Sequence, residues 1–326
     1  MSALAAMASL RPGRGVVGQG RGKTEPGRPP FVRSFAPEEN PFETVVADVT
    51  HRCNMACANC YLPNRGIPDM DIGRLEACLA ALPGRVNLRL IGAEPTMRRD
   101  LPEIVAMVRR RGHRAVLLTN GLRLARESYV HTLRDAGLRH VYVSMNGADN
   151  DDWYEAIDNM RCAAKKLRAV ENAVSHGMIV NTGTILVRGV NEGAVGRLRR
   201  FMADLGPRHA VLRFKNIGAF GRYDAASKAR NLSMAEMEAL CAAAIGADAA
   251  ALAAWDRIKG KAEAGNRLFP VDLATRTGRG LWFKLTDWHA KVDECGESDF
   301  RRRGRITQDF RIAPFFDHVK ANEGGY

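Results

Sequence analysis

The chain has 326 residues, of which 46% are hydrophobic and 26% are charged, and its formal net charge at pH 7 is +13. This length accommodates one large α/β domain with an additional segment, and no run approaches the about 20 apolar residues that a membrane span needs. Seven cysteines, three of them clustered, favour metal binding in a reducing compartment over a disulfide framework. The N-terminus lacks the basic segment of a secretory signal, so we expect a cytoplasmic protein with no membrane partner.

Both ends of the chain are basic. Residues 1–40 are rich in Gly, Pro and Arg and have no apolar period, which predicts a disordered or extended basic arm. Residues 1–34 carry a net charge of +5 and residues 301–320 a net charge of +4. Such tails can contact nucleic acid or an acidic substrate, and they can equally be solvated surface.

Residues 41–222 predict a series of βα units, because short β-rich runs alternate with amphipathic segments. The predicted strands are Thr44 to Val49, Val86 to Ile91, Ala115 to Leu118, His140 to Ser144, Ile179 to Leu186 and Ala210 to Phe214. Among the helices between them, Asp158 to His176 is expected to be one long helix that ends at Gly177. Six such units predict a partial (β/α)6 TIM-like barrel, in which the chemistry lies at the carboxyl ends of the strands.

Residues 223–326 do not continue this alternation in the sequence. We expect a helical and aromatic C-terminal extension that covers the open side of the barrel and contributes to a substrate pocket. Ser233 to Ile245 and Ala247 to Lys261 have helical character. Ser233 with Glu236, and Asp100 with Glu103 earlier in the chain, have the spacing of capping boxes.

A cluster of three cysteines, Cys53, Cys57 and Cys60, follows the first predicted strand. Three thiolates leave one position of a tetrahedral metal, or one corner of an iron–sulfur cube, without a protein ligand. An open position suits chemistry, whereas a closed structural site needs a fourth ligand. The alternative is a zinc loop that His51 or Cys78 completes.

Three further motifs follow in order, each at the end of a predicted strand. They are Gly92-Ala93-Glu94-Pro95, Thr119-Asn120-Gly121 and Val143-Ser144-Met145-Asn146-Gly147. Together with the Cys-x3-Cys-x2-Cys spacing, they resemble the signature motifs of the radical S-adenosylmethionine (radical SAM) superfamily over residues 44–222. Ala93, Met145 and Asn146 depart from the usual residues.

This resemblance implies one [4Fe–4S] cluster on Cys53, Cys57 and Cys60, with S-adenosylmethionine as the second cofactor. Reductive cleavage of that cofactor yields a 5′-deoxyadenosyl radical, which abstracts hydrogen from the substrate. An external one-electron donor such as flavodoxin or ferredoxin is implied as a partner. The expected cofactor contacts are Gly92, Ala93, Glu94, Pro95, Asn120, Ser144, Asn146, Tyr61 and Arg213, with Glu94 accepting from the cofactor's ammonium.

The substrate is expected to be a small polar metabolite, and the arginines of the tail favour an anionic one. Epimerisation, dehydrogenation and rearrangement all remain open. Modification of RNA or of a peptide by the same chemistry is an alternative, in which nucleic acid would be a partner, and a non-enzymatic metal-binding module is another.

Cys295, in the C-terminal extension, is a candidate hydrogen-atom donor to a substrate radical, although a free cysteine is commonly an inert small side chain. The other cysteines outside the cluster, Cys78, Cys162 and Cys241, are scattered singly. This pattern argues against an auxiliary cluster and against a two-cluster peptide maturase.

Overall fold

The computed structural model describes residues 34–58, 60, 62, 65–217, 228–247, 251, 266–272, 280–288 and 303–315. The strands within these ranges are β1 (Thr44–Thr50), β2 (Asn87–Gly92), β3 (Arg114–Thr119), β4 (His140–Ser144), β5 (Ile179–Ile185), β6 (His209–Lys215), β7 (Asn266–Pro270), β8 (Gly280–Thr286), β9 (Arg303–Ile306) and β10 (Ile312–Pro314). The helices are α1 (Ile72–Ala80), α2 (Leu101–Arg110), α3 (Glu127–Asp135), α4 (Asp151–Asp158), α5 (Ala163–Ser175), α6 (Ala194–Leu205) and α7 (Met234–Ile245).

All ten described strands form one open sheet in the order β10-β9-β1-β2-β3-β4-β5-β6-β8-β7. Strands β1 to β6 are parallel neighbours in sequence order. A crossover helix is needed to bring each parallel strand back to the same edge, which accounts for the alternation seen in the sequence. The predicted α/β class and the predicted open, partial barrel are confirmed.

The two faces of the sheet carry different side chains. On β6, Ala210, Leu212 and Phe214 are fully buried in the hydrophobic core, and Arg213 and Lys215 alternate with them, as the period of a strand requires. We call the face that carries Arg213 and Lys215 the lumen.

Side chains of β2 and β6 converge over β4 in the lumen of the partial barrel. The guanidinium carbons of Arg89 on β2 and Arg213 on β6 each lie 5.5 Å from the ring centroid of Tyr142 on β4. Strand β4 is about 10 Å from each of the two outer strands, a distance that the long arginine side chains span from both sides.

The expectation that residues 223–326 do not continue the alternation is wrong for two segments. Strand β8 pairs in parallel with β6, and β9 pairs in parallel with β1, so the C-terminal part of the chain lengthens the sheet at both edges. Strands β7 and β10 add an antiparallel strand outside each of these. Local pattern could not show this, because the pairing partners lie some 70 to 260 residues away in the chain.

The capping predictions have opposite outcomes. At the start of α7, the Glu236 amide donates to Ser233 Oγ at 3.3 Å and the Ser233 amide donates to Glu236 Oε2 at 2.8 Å, which confirms that capping box. At the start of α2, the Asp100 side chain makes no cap. Its carboxylate instead accepts two hydrogen bonds from Arg98, at 2.8 and 2.6 Å, because a guanidinium offers a stronger, charged partner.

The helix predicted from Asp158 to His176 is present as α5 (Ala163–Ser175), but its predicted start is wrong, because Asp158 is the last residue of the separate helix α4. Asn159 has a left-handed φ of 54° and ends α4. Residues 1–33 of the predicted arm and most of the predicted helix at 247–261 lie outside the described residues. No helix in the described ranges is long and apolar enough to cross a membrane.

A buried ion pair joins β9 to the first strand of the sheet. Arg305 Nε donates to Asp48 Oδ2 at 2.5 Å, and the exposed fractions of the two side chains are 1% and 7%. The guanidinium carbon of Arg305 also lies 5.7 Å from the ring centroid of Phe315. Loss of one partner would leave an uncompensated charge in the interior.

We predict that Arg305→Gln lowers the free energy of unfolding by about 3–5 kcal/mol, the cost of breaking a buried pair. The matched control is Arg111→Gln, which breaks a pair with Glu76 whose side chains are 44% and 33% exposed. The control should cost less than about 1 kcal/mol. Urea unfolding measures both, and equal losses would contradict the assigned role of the buried pair.

Candidate functional site

The cysteine loop leaves the end of β1 and is fastened at both of its ends. The Thr50 hydroxyl donates to Asp69 at 2.5 Å. The buried Arg98 donates from Nη1 to the backbone oxygens of Val49 and Met70, at 2.8 and 2.6 Å. These bonds hold the beginning and the end of the loop side by side at the carboxyl edge of the sheet.

The middle of the loop is attached to the C-terminal end of α4. The Asn159 amide nitrogen Nδ2 donates to the Ala56 oxygen at 2.7 Å, and the Ala58 amide donates to the Ile157 oxygen at 3.1 Å. The turn that separates α4 from α5 therefore positions the cysteines. The end of α4 at Asp158, which the sequence analysis did not predict, has this structural consequence.

Hydrogen bonds reach two of the three sulfurs. The Met55 amide donates to Cys53 Sγ at 3.4 Å, and Arg65 Nη2 donates to Cys60 Sγ at 3.0 Å. N–H donors to sulfur stabilise the negative charge that a thiolate ligand carries, and they tune iron–sulfur clusters. The charge of Cys60 acts on both Cys53 and Cys57, so the three thiols share one locality.

Burial raises the pKa of the Cys57 thiol well above its usual range, and the neighbouring Asp158 carboxylate raises it further. Burial also raises the pKa of Cys53. Metal ligation removes such protons, because the thiolate is the ligand. A set of three thiols with an N–H donor at two of the sulfurs fits an iron–sulfur cluster with one iron left open to a cofactor.

Cys78, one suggested fourth ligand of a zinc loop, lies on α1 in the hydrophobic core. Its thiol donates to the Phe310 oxygen at 3.8 Å, away from the cysteine loop. Within the part of the chain that the structure describes, no three His, Cys, Asp or Glu side chains are grouped to hold a single metal ion.

Glu94 is a fully buried carboxylate at the end of β2. Its Oε1 accepts from the Thr96 amide at 3.1 Å, from the Thr96 hydroxyl at 2.6 Å and from the Thr119 hydroxyl at 2.6 Å. Its Oε2 accepts from the Asn120 amide at 2.6 Å. A carboxylate has about four acceptor positions, so Oε2 retains the capacity to accept from an ammonium.

Asn120 connects this carboxylate to the cysteine loop. Its Nδ2 donates to Asn54 Oδ1 at 2.8 Å and lies 4.0 Å from Cys53 Sγ. Its Oδ1 accepts from the Leu122 amide at 3.0 Å, which fixes the orientation of the side chain. The Thr-Asn-Gly motif, the Glu94 motif and the first cysteine thus meet at one edge of the sheet.

Close backbone packing explains the glycine of the Glu94 motif. Gly92 has φ +149°, and a Cβ there would lie 2.1 Å from the Thr50 oxygen. The Ala93 amide donates to the same oxygen at 2.9 Å. Ala93 keeps a negative φ, which is why Ala can stand at this position, and the buried Pro95 begins a 3-10 turn, Pro95–Met97.

Asn146 and Ser144, at the end of β4, are held by protein contacts. Asn146 Nδ2 donates to Asp158 Oδ1 at 2.8 Å, and its Oδ1 accepts from the Ile185 amide at 2.9 Å. The backbone oxygen of Ser144 accepts a hydrogen bond from Lys166 Nζ at 3.0 Å. Contacts of Ser144 and Asn146 with a cofactor remain predictions.

The remaining expected site residues are not in the Glu94 network. Arg213 lies in the lumen against Tyr142, and its expected contact with the cofactor's carboxylate remains a prediction. Tyr61 and Cys295 lie outside the described residues, so their expected roles remain predictions as well.

Sequence reasoning missed the residues that surround Cys57. Asp158 belongs to no motif, and only the fold brings it to the thiol. Lys166 is fully buried on α5 and lies on the same face as Ala163, Ala169 and Val170. A lysine at this helical spacing among buried apolar residues is the signal that would have identified it.

We predict that Gly92→Ala lowers the free energy of unfolding by about 2 kcal/mol or more. The added Cβ would clash with the Thr50 backbone oxygen, and the backbone could relieve the clash only by adopting a strained conformation. The matched control is Gly84→Ala, where a Cβ meets nothing within 4 Å. Urea denaturation compares the two. A variant at Gly92 as stable as the one at Gly84 would contradict the close packing described here.

Comparison with known proteins gives a family and several partial relatives. Residues 48–202 match the sequence model of the radical SAM superfamily. A 7,8-dihydro-6-hydroxymethylpterin dimethyltransferase of Methanocaldococcus jannaschii is 31% identical over 187 residues, which is 54% of this chain and 37% of that protein. A GTP 3′,8-cyclase of Acidothermus cellulolyticus is 32% identical over 193 residues, 55% of this chain and 52% of that protein. The chain thus spans about half or less of the length of these curated relatives.

Among solved structures, Streptococcus suis SuiB bound to the precursor peptide SuiA superposes with a TM-score of 0.60. The alignment covers 87% of this chain and 62% of SuiB at 14% identity, a level that supports the fold alone. The match of residues 48–202, together with the order and position of the motifs, identifies this segment of the chain as a radical SAM superfamily domain.

Proposed function

We propose that the protein is a radical SAM enzyme that binds one [4Fe–4S] cluster and S-adenosylmethionine and abstracts a hydrogen atom from a small polar substrate. The observation that carries this proposal is that Asn120, which binds Glu94 through its amide, also reaches Cys53 of the cysteine loop at the carboxyl edge of the sheet. When bound, the cluster and S-adenosylmethionine supply a 5′-deoxyadenosyl radical.

The protein's own residues have separate roles in this proposal. Cys53, Cys57 and Cys60 would hold the cluster through their sulfurs. Arg65 and the Met55 amide, which donate to two of these sulfurs, would stabilise the charge of the ligands. The buried Asp158 would orient Cys57.

Glu94 would accept the ammonium of S-adenosylmethionine at Oε2, which has one protein donor. The Thr96 and Thr119 hydroxyls hold the other oxygen, so the carboxylate is oriented before the cofactor binds. Gly92, Ala93 and Pro95 would let the backbone lie close to the methionyl group. We assign the ribose or the methionyl carboxylate to Ser144 and Asn146, and Asn120 to the rim of the pocket.

The reaction is open beyond hydrogen abstraction. The partial relatives include a cyclase and a dimethyltransferase. Because this chain aligns with only about half or less of each of those proteins, their names do not identify its substrate. An external one-electron donor of the flavodoxin or ferredoxin kind would reduce the cluster.

We predict that anaerobic reconstitution yields about four irons per chain and that reduction then releases 5′-deoxyadenosine from S-adenosylmethionine. Replacing Cys53, Cys57 or Cys60 by Ala should abolish both, because each removes one ligand. Cys162→Ala, outside the loop, is the control and should retain both. One bound zinc with no cofactor cleavage would identify a metal-binding module and refute the enzyme.

We also predict that Glu94→Gln weakens S-adenosylmethionine binding by about tenfold or more, because a charge-assisted bond becomes a neutral one. The iron content should stay at the wild-type level, since Glu94 is not a cluster ligand. Isothermal titration of the reconstituted protein measures the affinity. Wild-type affinity in the variant would remove Glu94 from the cofactor site.

A further inference from the structure

Three cations line the lumen without a carboxylate partner among the described residues: Arg89 on β2, and Arg213 and Lys215 on β6. None of them takes part in an ion pair within the described part of the chain. The Nε of Arg213 is buried and has no hydrogen-bond partner in the same ranges. A charged donor left in this state costs folding free energy.

Arg213 is repelled by both of the other cations. Arg89 and Arg213 share the ring of Tyr142, each at 5.5 Å from its centroid. Burial lowers the pKa of Arg213, and the charge of Arg89 lowers it as well, whereas Tyr142 acts in the opposite direction. Burial, followed by the charge of Arg213, lowers the pKa of Lys215 to about 8. A bound anion would relieve both the repulsion and the loss of hydration.

One of these cations, Lys215, lies near the surroundings of the cluster loop. The Asp158 carboxylate, which raises the pKa of Cys57, also attracts Lys215, although more weakly than Arg213 repels it. Asp158 is therefore near both groups. An anion on Lys215 would lie on the side of the lumen where the proposed radical forms.

We propose that Arg89, Arg213 and Lys215 bind a phosphate group of the substrate, which makes the substrate of the proposed radical SAM reaction a phosphorylated small molecule. A phosphate carries a charge of about −1.5 to −2 at pH 7 and three strong acceptor oxygens, which matches three cations better than the single charge of a carboxylate does. Arg213 and Arg89 offer forked donors, and Lys215 offers a point charge. The inference rests on the proposed function for its role and on the lumen geometry for its existence.

The test is the binding of inorganic pyrophosphate to the reconstituted, S-adenosylmethionine-bound protein, measured by isothermal titration. Arg89→Gln, Arg213→Gln and Lys215→Gln should each weaken binding by about tenfold or more, because each removes a charged contact. The control, Arg168→Gln on α5, changes a 67% exposed arginine and should bind as the wild type does. Without pyrophosphate, the lumen variants should unfold at the same temperature as the wild type or a higher one, since each removes a repulsion.

The following results would contradict the proposal. No binding of pyrophosphate to the wild type, or equal binding in the wild type and the lumen variants, would overturn the site. Succinate binding as tight as that of pyrophosphate would overturn the phosphate assignment. If Arg213→Gln weakens S-adenosylmethionine binding and leaves pyrophosphate binding intact, Arg213 belongs to the cofactor and the three-cation site is wrong.

Release of 5′-deoxyadenosine in the same wild-type preparation separates this inference from the proposed function. Cofactor cleavage without pyrophosphate binding refutes the lumen site alone. Pyrophosphate binding without cofactor cleavage refutes the radical enzyme and leaves an anion-binding lumen.

Discussion

The buried carboxylate of Glu94 is the interaction on which the site depends. It lies at the end of β2 and accepts from Thr119 and Asn120 at the end of β3. Asn120 in turn donates to Asn54, next to the first cysteine. A buried carboxylate must accept hydrogen bonds or lose its charge. The hydrogen bonds that Glu94 accepts therefore hold two strand ends and the cysteine loop in one rigid arrangement.

Two kinds of electrostatic environment follow from the parallel sheet. At its carboxyl edge, the carboxylates of Glu94 and Asp158 accept hydrogen bonds from neighbouring strand ends. Inside the lumen, Arg213 and Lys215 face other cations and an aromatic ring. Both oxygens of Glu94 accept from protein donors, whereas Arg213 and Lys215 take part in no ion pair within the described residues. This electrostatic difference is the reason for assigning the cofactor to the carboxyl edge and an anionic substrate to the lumen.

Local pattern predicted the six central strands, because each is a short apolar run between helical segments. It failed where distant parts of the chain decide the structure. The sequence analysis assigned the segments of β8 and β9 to a C-terminal extension outside the sheet, because their pairing partners, β6 and β1, lie far away in sequence. The helix predicted from Asp158 starts only at Ala163, because Asn159 adopts a left-handed φ and donates to the Ala56 backbone oxygen, a contact that no local period encodes.

The sequence alone determined the βα alternation, the cysteine spacing and the order of the motifs at successive strand ends, since these depend on short-range periodicity and on residue chemistry. Tertiary structure alone decided that Asp158 reaches Cys57, that Asn120 reaches the cysteine loop and that Arg89 meets Arg213 over Tyr142. The physical reason is the strand order and register of a parallel sheet. They set which side chains of distant strands face one another, and nothing within a few residues of any one position specifies them.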